Sequence, residues 1–419
     1  MRSGATVAVI IPALNEESAI GKVISGIPCW VDDVIVVDNG STDDTSEVAR
    51  RHGARVFREP RRGYGSACLT GIARLHDPDV VLFMDGDFSD HPEEAYLLVD
   101  PIAYGYADMV IGSRVSGSRE PGSLTPQQVF GNWMACKLME LFWSAPFTDL
   151  GPFRAISLPA LELLDMQDPD YGWTVEMQVK AVRGGLRVKE VPVSYRRRTG
   201  ESKVSRTLRG VLGAGFKIIG TILLAAAGFM PSRKKEGERV IIFSEGFSDH
   251  ESEGGSVLTY AHESRQLVLS IAEEVGKRRG ASVEFRFRGN QSHFIGQRHG
   301  TRVSFVDTAS GEPEAEMHRA LKDAFRSGME RVVLIRDPFH IATGKLLEDA
   351  LDALGSADLV LAPANEERLN LVGLNRTCPS LFSQVTGDGT NARDETMEMA
   401  RHYGLRVTLL NGNDSIGAS

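Results

Sequence analysis

Residues 80–94 read VVLFMDGDFSDHPEE, and within them Asp85 and Asp87, two carboxylates flanking Gly86, are of the type and spacing that could do chemistry. Held close together they repel each other, and a cation between them removes that cost; hard oxygen ligands suit Mg2+ or Mn2+. Such a metal would neutralise a diphosphate. Three other polar turns carry groups that suit the same ligand: IPALNEE (11–17), DNGSTDDT (38–45) and RRGYG (61–65). Later, residues 196–203, RRRTGESK, place forked and point-charge cations on a glycine-containing loop that can fold over a diphosphate. Read singly, each has a plainer meaning: a D-x-D turn caps a helix, and an arginine run is a solvated face. Their significance depends on whether the fold gathers them.

The elements predict that it does. Residues 80–84 form an apolar run too short for a helix and rich in β-formers, and residues 5–11, 34–37 and 55–57 are strands of the same kind. Each is followed by a polar turn and a helical pattern, which predicts a parallel, doubly wound sheet with those turns at its carboxyl edge, where ligands bind. Asp38, ending the second strand, can hydrogen-bond a ribose or base, as in dinucleotide folds. No G-x-G-x-x-G follows the first strand, and Pro12 stands where that cradle would be, so the pattern says nucleotide but not NAD. Residues 108–114 make another strand, ending in Arg114; a helix over 134–143, a compact loop over 148–154, a strand at 155–156, a helix entered through 171–176 and a strand over 188–195 complete the domain.

With 419 residues the chain has room for two or three domains, and 42% hydrophobic with 25% charged residues is ordinary for a soluble globular protein. A formal charge of −9 argues against a nucleic-acid partner. Cys29, Cys68, Cys136 and Cys378 are scattered without a C-x-x-C pair, which fits a reducing compartment with neither zinc site nor disulfide frame. The first apolar run is expected to be a strand, not a signal peptide.

IPALNEE, DNGSTDDT, MDGD, GSR (112–114), TDLGPFRA (148–155), YGWTVEMQ (171–178) and RRRTGESK stand in the order and spacing of bacterial family-2 glycosyltransferases, and residues 5–225 resemble the polyprenyl-phosphate (dolichyl-phosphate-type) sugar transferases among them. The resemblance implies a GT-A fold, Rossmann-like with a mostly parallel sheet, a UDP- or GDP-sugar donor, a divalent metal and inversion at the anomeric carbon. By motif, Pro12, Leu14 and Glu16 would line the nucleotide pocket, Asp38 would contact the base, and Asp85 and Asp87 would hold the metal. Arg114, Arg198, Ser202 and Lys203 would grip the diphosphate or the acceptor phosphate. Where relatives continue D-L-Q-H-P, this chain reads Asp87-Phe88-Ser89-Asp90-His91-Pro92, leaving Ser89 or Asp90 in the place of a glutamine ligand.

Residues 211–230 are apolar but interrupted by Lys217, and the remaining run is too short to span a bilayer. Arg206, Gly210, Gly213 and Lys217 share one helical face, with Arg233-Lys234-Lys235 following. Two readings stand open: an interfacial helix on anionic lipid over residues 206–230, or a helix packed on the sheet. Residues 231–238 read as a linker that closes the first domain, 1–230. Residues 239–419 form a second α/β domain, with strands at 240–243, 283–287, 303–306, 332–335, 359–361 and 407–410 and helices at 256–277, 313–326 and 344–354. This part resembles a bacterial GT-A-like family of unassigned activity, with its site replaced: Pro338 and Asn365-Glu366-Glu367-Arg368-Leu369 stand where relatives carry an acid and glycines, and Asp337 is one register off.

The expectation is therefore an inverting hexosyltransferase acting from a UDP- or GDP-sugar onto a polyprenyl phosphate, cytoplasmic or peripheral on the inner face of the plasma membrane, with a scaffolding second domain. A phosphate acceptor is already anionic; a hydroxyl acceptor would require a general base, with Asp149 and Glu176 as candidates beside Arg198 and Lys203. The alternatives are that hydroxyl acceptor or a non-catalytic nucleotide-sugar-binding protein. A nucleotidyltransferase would want a glycine-rich basic loop after the first strand, which IPALNEE is not.

Overall fold

The computed structural model describes residues 2, 4–199, 208–231, 237–244, 271, 275, 281–287, 303–307, 313–336, 344–363, 369–381 and 392–410. The chain divides into two compact units, Met1–Lys234 and Lys235–Ser419. In the first, β1 (Val7–Ala13), β2 (Asp33–Asp38), β3 (Arg55–Arg58), β4 (Val80–Phe83), β5 (Met109–Ser113), β6 (Arg154–Ser157) and β7 (Val188–Pro192) form one sheet in the order β3-β2-β1-β4-β6-β5-β7. Neighbours pair parallel except β6, which runs antiparallel to both β4 and β5. Helices α1 (Ile20–Gly26), α2 (Thr45–Arg51), α3 (Tyr64–Ile72), α4 (Ala95–Ala103), α5 (Pro126–Trp143), α6 (Leu158–Leu164), α7 (Trp173–Arg183) and α8 (Leu208–Ala226) complete the unit.

A parallel sheet covered on both faces explains why its strands read as unbroken apolar runs. Val7, Val9 and Ile11 of β1 and Leu82 and Met84 at β4 enter the core on one face, with α1 and α4. Ile10, Val81 and Phe83 enter the core on the other, with Trp173 and Met177 of α7. Burying each such side chain contributes about 1.5–3 kcal/mol, so the central strands are fixed in register. The order reverses between β1 and β4, and this switch point opens a crevice at their carboxyl ends.

Some boundaries differ from the sequence reading. Helix α5 starts at Pro126 rather than at 134, because Thr125 and Gln128 form a reciprocal capping box with proline in the first turn. β6 descends against its neighbours because its incoming loop returns at the carboxyl edge, where Gly112 N–H donates to the Phe153 carbonyl at 2.8 Å. Helix α8 packs on the first unit: Ile218, Ile222 and Ala225 lie with Ala135, Cys136 and Met139 of α5 and Val175 and Val179 of α7. It also keeps an uncovered apolar face, with Leu223 48% and Leu224 56% exposed. Among the described residues no helix is long and apolar enough to cross a membrane.

The second unit has β8 (Glu238–Ser244), β9 (Ala281–Phe287), β10 (Val303–Asp307), β11 (Arg331–Ile335), β12 (Leu359–Pro363), β13 (Leu369–Leu374) and β14 (Val407–Leu409), in the order β10-β9-β8-β11-β13-β12-β14. Strand for strand this is the order of the first sheet, including an antiparallel sixth strand, β13, absent from the strands expected above. One clasp recurs as well. Asp108, before β5, accepts from Arg187 backbone N–H (2.9 Å), Nε (3.2 Å) and Nη2 (2.9 Å). Asp358, before β12, accepts the same three bonds from Arg406 at 3.0, 3.2 and 3.0 Å. Helices cover Pro313–Arg326, Gly344–Ala353 and Ala392–His402. The fold is thus α/β with two mostly parallel sheets, in keeping with a GT-A domain followed by a GT-A-like one. Of the helix expected at 256–277 only Ile271 and Val275 are described, both helical; the substitutions at Asp337, Pro338 and 365–368 lie outside the described residues.

Candidate active site

The β1–β4 crevice holds the acids. β4 pairs with β1 through Ile10 and Phe83, so Asp85 and Gly86 emerge beside Pro12 and Ala13. A Cβ on Gly86 would stand 3.4 Å from the Pro12 carbonyl oxygen, ordinary contact distance. Asp87 is buried, and its Oδ1 accepts from Ser89 N–H at 3.0 Å and Ser89 Oγ at 2.5 Å. Ser89 therefore holds Asp87 in place. Asp90 is buried too, and its Oδ1 has no hydrogen-bond partner among the described residues. Burial first, then the charge of Asp87, pushes the Asp85 carboxyl up to about 7 against the pull of Arg114 and Arg198. Burial and the charges of Asp85 and Asp87 raise Asp90 well above the usual carboxylate range. Asp85 and Asp90 both resist ionising beside Asp87, and Asp90 keeps an unsatisfied oxygen, so a cation here would relieve the crowding of charge. Among the described residues no three carboxylate, imidazole or thiol groups converge at ligand spacing, so a metal here would take part of its coordination from outside the protein.

The wall beside the acids is built from β2 and the turn after β1. Burial would raise Asp38, but hydrogen bonds from Ser46 Oγ (2.7 Å) and Ser41 N–H (2.7 Å) hold it below its ordinary value. Asn15 adopts a left-handed φ of 53° and accepts from Thr42 N–H at 2.7 Å, tying the IPALNEE and DNGSTDDT turns together. Pro12 and Leu14 are half-buried there. Sequence reasoning passed over Asn39. Its side chain donates to the carbonyls of Glu59 (3.2 Å) and Arg61 (2.8 Å) and accepts from Gly63 N–H (2.8 Å), so it shapes the RRGYG loop. Its place directly after Asp38 was the one available signal.

The arginine run is not a solvated face. Residues 196–199 lie along the acidic turn: Arg196 N–H donates to the Ser89 carbonyl and Thr199 N–H to the Asp87 carbonyl, both at 2.9 Å. Arg196 stacks 3.8 Å over Phe88, itself at φ 62°, and Arg197 bonds the Pro121 carbonyl at 2.8 Å. Arg198 alone turns to the acids, with Nη2 3.0 Å from Asp87 and 3.3 Å from the buried Glu16. Its Nε is buried without a partner among the described residues, a free donor beside the crevice. Ser202 and Lys203 lie outside the described residues.

Three expected roles meet a physical obstacle. Arg114, expected on a phosphate, is closed in a two-pronged pair with buried Asp149 at 2.8 and 2.7 Å. The same pair holds Asp149 below the usual carboxylate range although burial pushes the other way, so its lone pairs are committed and it is a poor general base. Buried Arg154 fixes this loop from behind through the carbonyls of Gly151 and Leu150, both at 2.9 Å; burial pushes its own pKa down to about 10. Glu176, the other candidate base, accepts from Gln167 N–H (3.0 Å) and Asp168 N–H (2.7 Å) and pairs with Lys180 at 2.7 Å. It clamps the 165–172 loop.

Residues 8–156 match the family model described as Glycosyl transferase family 2, and residues 271–387 match one described as an uncharacterised protein conserved in bacteria. An uncharacterised glycosyltransferase of Mycobacterium tuberculosis is 40% identical over 50% of this chain and 94% of its own length. The undecaprenyl-phosphate mannosyltransferase of Micrococcus luteus is 30% identical over 48% of this chain and 88% of its own. Among solved structures, glucosyl-3-phosphoglycerate synthase from Mycobacterium tuberculosis, in complex with Mn2+, UDP-glucose and phosphoglyceric acid, is 28% identical over 55% of this chain and 82% of that one, with a TM-score of 0.46.

Proposed function

The chain belongs to the family 2 glycosyltransferases, and on that premise we propose that its first unit moves a sugar, with inversion, from a UDP- or GDP-sugar to a polyprenyl phosphate at the cytoplasmic face of a membrane. The observation that carries the reading is the crevice where Arg198 reaches Asp87 and Glu16 beside Asp85, at the switch point of a nucleotide-type sheet. A bound Mg2+ or Mn2+, held by Asp85 and Asp87, would offset charge on the departing diphosphate. Asp38 takes the base or ribose, and Pro12, Leu14 and Glu16 wall the nucleotide. Arg198 turns its forked donors from the acids to the diphosphate as bonds to the sugar break, and the family resemblance extends that role to Ser202 and Lys203, which follow it in sequence.

A phosphate acceptor is favoured by what Asp149 and Glu176 already do: both carboxylates that would deprotonate a hydroxyl are committed elsewhere, and an anionic phosphate asks for no base. The name of the mannosyltransferase relative supports the same acceptor class. A membrane location is supported by the apolar face of α5 and the α8 end of the unit, where Phe130, Trp133, Leu141 and Phe229 are 59, 56, 73 and 77% exposed. The test incubates the protein and Mn2+ with labelled UDP- and GDP-sugars and polyprenyl phosphate vesicles. Label entering the organic extract only with the lipid phosphate is expected; transfer to a dolichol or sugar hydroxyl instead would replace this acceptor.

A further inference from the structure

Lys217 interrupts the apolar run of α8. Its Nζ stands 2.9 Å from Asp168 Oδ2, in the loop between α6 and α7. That loop is unusually constrained for its length. Glu176 holds the backbone N–H groups of Gln167 and Asp168, and Lys180 holds the Asp165 carbonyl at 2.7 Å. Asp168 Oδ1 accepts from Asp170 N–H at 2.8 Å. The far side of the loop touches the donor site. The Pro169 carbonyl accepts from Ser66 N–H at 2.8 Å and Ser66 Oγ at 3.1 Å, in the first turn of α3. A Cβ on Gly63 would land on the Pro169 carbonyl oxygen, and one on Gly65 on that of Asp168, so the RRGYG turn and this loop are in backbone contact. Gly63, at φ 143°, is where only glycine is comfortable. The same turn is tied to the end of β2, where Asn39 Oδ1 accepts from Gly63 N–H at 2.8 Å, and Ala67 and Cys68 of α3 share a core with Phe83 of β4.

We propose that Lys217 is a positioning residue for the donor site: through Asp168 and the Pro169 carbonyl it sets the first turn of α3 and the RRGYG loop against the carboxyl ends of β2 and β4. The assignment rests on the donor reading above for its consequence, not for its geometry. It gives α8 a task beyond packing. Movement of α8 that lengthens the Lys217–Asp168 pair releases the loop that Gly63 and Gly65 abut, whereas β2, which ends in Asp38, and β4, which leads to Asp85, stay fixed by the core. Because the pair is part-exposed, at 45 and 10% for the two side chains, its effect on the loop is modest and local.

The test compares the full-length wild type with Lys217→Met, Lys217→Arg and Asp168→Asn. Amide hydrogen exchange over residues 59–66 is expected to quicken about three- to fivefold in Lys217→Met and Asp168→Asn, with residues 7–13 and 80–83 unchanged and Lys217→Arg close to wild type. UDP with Mn2+, titrated calorimetrically, is expected to bind about threefold more weakly to the same two variants, and the double variant no more weakly than either. Unchanged exchange over 59–66, or exchange quickened equally throughout the first unit, would overturn the proposal. A wild type that binds no UDP would sink the donor reading while the exchange comparison still decides the relay.

Discussion

Arg114 and Arg198 are the same residue type in two motifs of one domain, yet their existing bonds assign them opposite work. Arg198 holds Asp87 by one nitrogen and keeps Nε free, so it can exchange an acid for a diphosphate; Arg114 is locked by both prongs to Asp149. Replacing Asp87 with Asn is expected to abolish metal-dependent turnover while the chain stays folded, because the amide oxygen can still accept both Ser89 bonds and one of three crowded acids is removed; full activity in that variant, or in wild type under excess chelator, would end the metal assignment. Asp149→Asn is expected to act on stability instead, costing about 3 kcal/mol at neutral pH because it leaves a buried guanidinium unpaired. The Asp149 pKa is depressed in the folded chain, so its contribution is fully present above the unfolded value, about 3.9, and fades as pH falls through the lower folded value. Denaturation of the two proteins from pH 7 down to 3 should therefore converge toward the acid end; a constant gap would refute the pairing. The residue types were legible in the sequence. The partners were not, because Asp149 lies 35 residues from Arg114 and only the descending β6 brings its loop beside the end of β5.

At the scale of elements, the strands of the first unit were readable because a sheet buried on both faces writes them as short β-branched runs between polar turns. The start of α5 was signalled only by its capping box, and the direction of β6 by nothing local, since an antiparallel strand reads like a parallel one. The arginine run shows the limit of composition: pairing along the acidic turn spends Arg196 and Arg197 on architecture and leaves Arg198 for the site. Helix α8 packs on α5 and α7 through Ile218 and Ile222, not on the sheet, and leaves Leu223 and Leu224 exposed. Binding to anionic vesicles is accordingly expected, weakening with salt and with Arg233, Lys234 and Lys235 changed to Glu by about 1 kcal/mol per residue. Trp133→Ser with Phe229→Ser should weaken it without altering salt dependence. Sedimentation with vesicles measures both, and no binding at any salt would leave the uncovered face without a bilayer.

Across the whole molecule, two sheets share one strand order, and each encloses its own cores. The second unit, expressed as residues 239–419, is therefore expected to fold cooperatively by itself and, given Pro338 and Glu366-Glu367-Arg368 at the positions of acid and glycines, to bind neither UDP- nor GDP-sugars with Mn2+. Micromolar binding lost in Asp337→Ala would show that a site has been kept or rebuilt there. The clasp between aspartate and arginine reaches further still. Both copies sit in nearly the same words: Ala107-Asp108-Met109-Val110 and Ala357-Asp358-Leu359-Val360, then Gly185-Leu186-Arg187-Val188 and Gly404-Leu405-Arg406-Val407. Both glycines turn left-handed, at φ 70° and 58°. These words lie at the amino ends of β5, β7, β12 and β14, opposite the edge that carries the acids in the first unit. The two units thus share strand order, clasp and turn at the edge that serves only the architecture, and differ in sequence after β4 and after β11, so that laying one half over the other separates what holds the sheet from what was added at its far edge.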